Sequence, residues 1–331
     1  MQERHAQNFN VGYGAISESE FPIQRCFDGW KNMAKFAKNV DPKAVAEKQA
    51  ANVMKQMQGK TLPSVGTVRN YEERLKIVAQ HINAEFKCGL RDLTVVQAHQ
   101  YLTDRALEVG QKTLDMERQA IQTMMQNVTG KLGQTEKLEV IKSEKLQILS
   151  SRSYTPEQVQ MVVNAQTERN ALSTEIAYAA GLRAHELHTL LPRDEREPSD
   201  RPALAEKFSG RDGVIYTIDG KGGLIREVLI PKDLADKLET RRLEQPTHIV
   251  DRGVNYLSHY DINGGNRWSS SYSTASNRAL NWSAGAHGVR HSYAQERMSE
   301  LKKVMPYEKA LKVVSQEMGH FRPEITEVYL R

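Results

Sequence analysis

Residues Gly213 to Ile230, GVIYTIDGKGGLIREVLI, constrain the fold more than any other segment. Two runs rich in β-branched and aromatic residues flank Asp219-Gly220-Lys221-Gly222-Gly223. Glycine reaches the positive φ values that a tight antiparallel turn demands, so the segment predicts a β-hairpin with Lys221 at its tip. Elsewhere apolar residues recur mostly every three or four positions, the period of a helix packed on one side. The chain is therefore expected to be α+β and mostly α-helical, with a small antiparallel sheet.

The first residues are polar, and MQERHAQNFN has no signal-peptide apolar core. Phe27, Trp30, Met33 and Phe36 stand near helical spacing, and Asp41-Pro42 ends that helix, because the residue before proline is pushed out of the α region. Residues 43–58, rich in Ala, Lys and Gln, read as a further helix, and Gly59 to Gly66, with Pro63 inside, as a linker. Val68, Tyr71, Leu75, Val78, Ile82 and Phe86 form one apolar stripe. Thr94 and Gln97 make a capping box, each side chain serving the other's backbone N–H, and open a helix through Leu107. A further helix from Thr113 carries Leu114, Ile121, Met124 and Val128. These stripes, and the Met124-Met125 pair, are read as core.

Residues 130–152 are strongly charged and read as an interdomain linker. Thr155-Pro156-Glu157-Gln158 then supplies an N-cap, a first-turn proline and a capping glutamine. The expected division is an arm-like helical extension at 1–60, a helical bundle at 61–130, a linker at 131–153 and a second domain at 154–331.

A length of 331 residues fits two or three domains. Lys and Arg number 46 against 41 Asp and Glu, a net charge of +5 that admits a polyanionic partner without requiring one. No apolar run approaches the ~20 residues of a membrane span. Cys26 and Cys88 lack metal-ligand spacing and read as reduced, small apolar residues. The expected location is the cytosol.

Four short motifs remain. Gly181-Leu182-Arg183-Ala184-His185-Glu186-Leu187 sits at a helix junction, with Arg183 and Glu186 on one face. Alone, such a pair is usually a surface ion pair. Lys221 alone is a solubilising turn lysine. His287-Gly288-Val289-Arg290 places His287 and Arg290 one helical turn apart, where both could face one phosphate. Gly319-His320 precedes Tyr329, which stands nine residues after His320. Pro323 suggests a helix start, with Ile325 and Val328 inward and Tyr329 on the adjoining face.

Each motif is weak, but in this order they resemble the signature of the tyrosine recombinases, the family of phage and other mobile-element integrases. The likeness runs at motif level from Thr155 to Tyr329. From about Gly66 to Val128 it is architectural, since the family carries a helical core-binding domain there. It implies that fold, joined to a mixed catalytic domain with a small antiparallel sheet.

The resemblance implies a site-specific recombinase that cuts and rejoins double-stranded DNA through a 3′-phosphotyrosyl link, integrating or excising a mobile element. The bond energy stays in the protein–DNA link, so no ATP, metal or other cofactor is implied. Tyr329 is the implied nucleophile. A phenol has a pKa of about 10, so about one in a thousand is ionised at pH 7, and a base or positive field must help. Arg183 and Arg290 would grip the non-bridging oxygens in place of a metal. Lys221 would protonate the leaving oxygen, and His287 and His320 would move protons or bond the phosphate. How these duties divide among Lys221, His287 and His320 stays open. Glu186 would orient a basic group. Arg267, Trp268 and Arg278, in a Ser/Asn-rich stretch, are candidates for DNA contact, against an ordinary loop. Both domains would clamp the duplex, with 130–152 as the strap. A tetramer on DNA and accessory bending or directionality factors are the implied partners, and the bacterial nucleoid the implied place.

Two features depart from the family pattern. Lys221 stands 38 residues beyond Arg183, and the extra DEREPSDRPALAEKFSGRD reads as a polar surface insertion. The sequence also ends two residues after Tyr329. That implies weaker self-association without DNA, and a Tyr329 that is mobile or misplaced until DNA binds. A dedicated resolvase or relaxing topoisomerase shares this chemistry. A non-catalytic DNA-binding protein on the fold is the rival class, and the complete residue set argues for an enzyme.

Overall fold

The computed structural model describes residues 41–147, 149–220 and 222–331, which fall into two compact units divided after Gln147. Cys26, the helix expected around Trp30, and Lys221 lie outside the described residues.

The first unit is helical: α1 Pro42–Met57, α2 Val65–Phe86, α3 Val95–Ala106 and α4 Gln111–Met124, which runs into a π-turn at Met125–Thr129. Asp41 caps α1 by accepting from the Lys43 N–H, and both bonds of the Thr94/Gln97 capping box are made. Leu75, Val78, Ile82, Leu114, Ile121, Met124 and Met125 share one core, as the stripes predict. Burying each such side chain contributes about 1.5–3 kcal/mol.

Both outer boundaries differ from the expectation. Ala46, Ala50, Val53, Met54 and Met57 of α1 belong to this same core, so residues 42–57 are not a separate arm. Residues 131–147 are likewise bound to the bundle. Leu132 and Leu138 are buried in it, Arg118 donates to the Leu138 carbonyl, and Gln111 bonds both Ile141 and Ser143. The charged composition of this stretch hides one apolar side, which is why it reads as a linker in sequence.

The second unit opens with α5 Pro156–Asn164, capped by Thr155 and Gln158, and α6 Glu168–Ala180. A 3₁₀ turn follows at Ala184–Thr189. A three-stranded antiparallel sheet comes next, β1 Leu191–Pro192, β2 Val214–Asp219 and β3 Ile225–Ile230, in the order β1-β2-β3. The predicted hairpin is β2 and β3, paired from Val214 with Ile230 to Asp219 with Ile225. Then come α7 Lys232–Glu239, a second hairpin of β4 Arg242–Asp251 and β5 Val254–Tyr260, α8 Gly265–Leu280, α9 Gly288–Leu301, α10 Tyr307–Glu317 and the short α11 Pro323–Glu327. One core joins α5 to α8 and the sheet through Ile176, Tyr216, Ile218, Val228, Leu238 and Trp268. A second, with Met298, Leu311, Val314 and Met318, joins α9 to α10.

The insertion after β1 is not a loose polar loop. Arg196 bonds Thr217 and the Thr189 carbonyl, the Ser199 N–H bonds the Ile225 carbonyl, and the Phe208 N–H donates to the buried Glu317 carboxylate at 2.8 Å. The Arg196 side chain and the Ser199 and Phe208 backbone tie the segment to groups beneath it, a role that composition does not reveal.

Candidate active site

Gly181 ends α6 in the left-handed conformation, with φ +62°. A Cβ there would lie 2.6 Å from the Tyr293 ring, so glycine is required on two counts. The turn puts Arg183 at the N-cap of the 3₁₀ turn. Glu186, fully buried, accepts from the Arg183 N–H at 2.8 Å and from Arg183 Nη1 at 2.7 Å. It also accepts from Arg226 Nη2 at 2.8 Å. Burial alone would push the Glu186 carboxyl up. Arg226, Arg290 and Arg183 outweigh it and hold the group well below the usual carboxylate range.

Arg290, in the first turn of α9, is fully buried. It donates to the Gly181 and Met318 carbonyls and, through Nη2, to His320 Nε2 at 3.1 Å. Burial, then the neighbouring Arg183 charge, lowers its pKa to about 9, so it stays charged at neutral pH. Arginine has donors only, so His320 Nε2 must accept. The His320 proton therefore sits on Nδ1, within 3.0 Å of Thr326 Oγ1. Burial, with Arg290, Arg183 and Arg226, lowers the His320 pKa to about 3 and keeps the ring neutral.

Tyr329 follows α11 and meets three imidazoles. Its hydroxyl lies 3.2 Å from His287 Nε2. Its ring centroid stands 5.0 Å from that of His320 and 4.7 Å from that of His291. The Arg290 guanidinium carbon is 5.6 Å from the Tyr329 ring centroid. His287 has an open edge to solvent. Its enclosed side, with Arg290, His291, Arg152 and Arg183 nearby, moves its pKa down, as burial does for His291. Neutral imidazoles beside a phenol can take a proton.

The structure thus brings together Arg183, Glu186, His287, Arg290, His320 and Tyr329. Gln295 Nε2 donates to the Tyr329 and Arg331 carbonyls, Tyr329 and Leu330 pack against the α9–α10 core, and the Tyr329 ring covers Arg290. Two expectations change. Thr326, not Val328, is the buried residue of the last turn, and Val328 is exposed. Trp268 is fully buried in the core of α8, its Nε1 bonded to Thr174 Oγ1 at 3.0 Å, and is no DNA contact. The stretch around it is helix, and its serines and asparagines disguise the helical period. Arg267 and Arg278 are exposed on α8, and Arg278 donates to the Ala165 carbonyl. Sequence reasoning missed Arg226 and His291. Arg226 occupies an inward position of β3, alternating with Val228, which the period of two could have flagged.

No protein-family model matches the sequence, and no curated protein matches it in sequence. Solved structures match in fold. A lambda integrase dimer bound to a COC′ core site matches with a TM-score of 0.57 at 13% identity, over 91% of this chain and 84% of that one. XerH site-specific recombinase bound to its difH substrate gives 0.51 at 15% identity, over 89% and 94%. The Tn1549 transposon integrase with transposon right-end DNA gives 0.51 at 13% identity, over 86% and 94%. The chain has the fold of the tyrosine recombinases.

Proposed function

We propose that this protein is a site-specific recombinase that cuts a DNA strand with Tyr329 and passes the end to a second strand. A fold does not fix chemistry, so the site must carry the reading. The observation that carries it is the Tyr329 hydroxyl at 3.2 Å from His287 Nε2, with the Arg290 guanidinium beneath the ring.

In the proposed step Tyr329 Oη attacks the phosphorus, and the bond to the 5′-oxygen breaks as the tyrosyl bond forms. His287, neutral at neutral pH, takes the phenolic proton. Lys221, between β2 and β3 in the sequence, gives a proton to the departing 5′-oxygen. Arg183 and Arg290 hold the non-bridging oxygens, where charge grows, and each such preorganised donor is worth about 10²–10³ in rate. Arg290 lies under Tyr329, so the ring swings outward as the phosphate enters. His320 keeps Arg290 in place through the bond to Nε2. A 5′-hydroxyl of a second strand then reverses the step, with one phosphodiester made for each one broken.

By analogy with the lambda, XerH and Tn1549 proteins, the substrate is a specific duplex site and the role is integration or excision of a mobile element. The helical first unit would hold duplex as well. Four chains on paired sites, with accessory bending or directionality factors, complete the proposal, which places the protein in the cytosol on the nucleoid. Among the described residues no helix is long and apolar enough to cross a membrane. The test is a library of nicked duplexes of randomised sequence, incubated with the protein and washed in denaturant. Retained, sequence-enriched DNA supports the reading, and its absence across the library refutes it.

A further inference from the structure

We infer that Arg226 is a positioning residue of the proposed site, one that locks the Glu186 carboxylate and the turn before His320 to strand β3. The inference rests on the recombinase reading for its kinetic arm and on geometry for the rest. Arg226 is only 4% exposed, at an inward strand position. Arginine is almost never buried unless paired, and here the pairing is divided between two elements. Nη2 donates to Glu186 Oε2 at 2.8 Å, on the 3₁₀ turn, and Nη1 donates to the Glu317 carbonyl at 2.7 Å, at the end of α10. Gly319, with φ +71°, lets the next turn close over the arginine stem, since a Cβ there would lie 2.5 Å from Arg226 Cδ. His320 is the following residue. The same strand leads from the hairpin tip, so the seating of the hairpin, of Arg183 through Glu186, and of His320 share one anchor.

Arg226 turns both guanidinium Nη atoms to protein acceptors, the Glu186 carboxylate and the Glu317 carbonyl, rather than to solvent. Its effect passes through Glu186 and His320. The charged and titratable groups facing His320 are Arg290 from α9, Arg183 and Glu186 from the 3₁₀ turn, Arg226 from β3, and Tyr329.

Two variants test this. Arg226→Met removes the charge and nearly keeps the volume, and Arg226→Lys keeps a charge that cannot fork to both acceptors. The probe is a nicked duplex selected for adduct formation with the unaltered protein. The expected single-turnover cleavage rate falls about 100-fold in Arg226→Met and about 10-fold in Arg226→Lys. DNA affinity and its salt dependence stay unchanged, because no phosphate contact is lost. In NMR of ¹³C-histidine-labelled protein, the His320 titration moves up by about one pH unit in Arg226→Met and less in Arg226→Lys. Wild-type cleavage in both variants, or a loss confined to DNA affinity, overturns the inference. If Arg226→Met does not fold, the rate and affinity of Arg226→Lys decide alone. If the unaltered protein forms no adduct, the recombinase reading fails, and the His320 titration still decides for or against Arg226.

Discussion

Replacing Glu186 with alanine should be among the most damaging single changes away from the nucleophile. The carboxylate is fully buried and accepts three hydrogen bonds, two from Arg183 and one from Arg226, with Arg290 beside it. Its removal leaves three guanidinium groups facing one another without a counter-charge. Taking one partner from a buried ion pair costs about 3–5 kcal/mol. For a unit of this size that is a drop of roughly 6–20 °C in melting temperature, at ~2–4 °C per kcal/mol. Urea unfolding followed by tryptophan fluorescence reads it, since Trp268 and Trp282 lie in the second unit and Trp30→Phe silences the remaining tryptophan. The midpoint should fall at constant slope. Acid provides the control. The folded Glu186 carboxyl is held below its unfolded value, so its contribution is present above about pH 4.3 and is lost as pH falls through the folded value. The gap between variant and wild type should be full at pH 7 and close on strong acidification. A loss under about 1 kcal/mol at pH 7, or a gap indifferent to acid, refutes the assignment of Glu186 as the site's counter-charge.

Other outcomes follow from the same geometry. His320 has its pKa lowered to about 3 and would lose its bond from Arg290 on protonation, so strand cleavage should show no inflection near pH ~6.5, the ordinary histidine value. An acid limb at that pH that disappears in His320→Gln contradicts the neutral, accepting ring. Gly181→Ala forces a positive φ and a contact at 2.6 Å on Tyr293, and should cost about 2–5 kcal/mol in the same urea assay, where a wild-type midpoint contradicts it. Trp268→Phe gives up the bond to Thr174 and should lower stability by about 1–3 kcal/mol while leaving DNA affinity unchanged. A folded Trp268→Phe protein with weakened DNA binding contradicts its place in the core.

Local signals carried much of the fold. The Thr94 and Thr155 capping boxes and the glycine-rich hairpin each depend on a few adjacent residues, so they are legible without tertiary structure. Six of the candidate site residues were legible as ordered motifs, and the fold brings them together. What escaped depends on long-range contacts. The insertion after β1 is tied to β2 by the Arg196 side chain on Thr217 and to α10 by the Phe208 N–H on Glu317, contacts that sequence adjacency cannot show. Arg226 looks like one charge in a strand until Glu186 and Glu317, far away in sequence, come within reach of its fork. Trp268 was misread because its helix is rich in serine and asparagine, residues common in loops. Residues 131–147 were misread because Leu132 and Leu138 are sparse among charges.

The most direct test is a covalent one. A nicked duplex that traps the cut strand is incubated with the protein, digested, and the DNA-linked peptide sequenced by mass spectrometry. The expected product is a 3′-phosphate joined to the peptide containing Tyr329, with no adduct from Tyr329→Phe. A link to another residue, or an undiminished adduct from Tyr329→Phe, would contradict Tyr329 as the nucleophile.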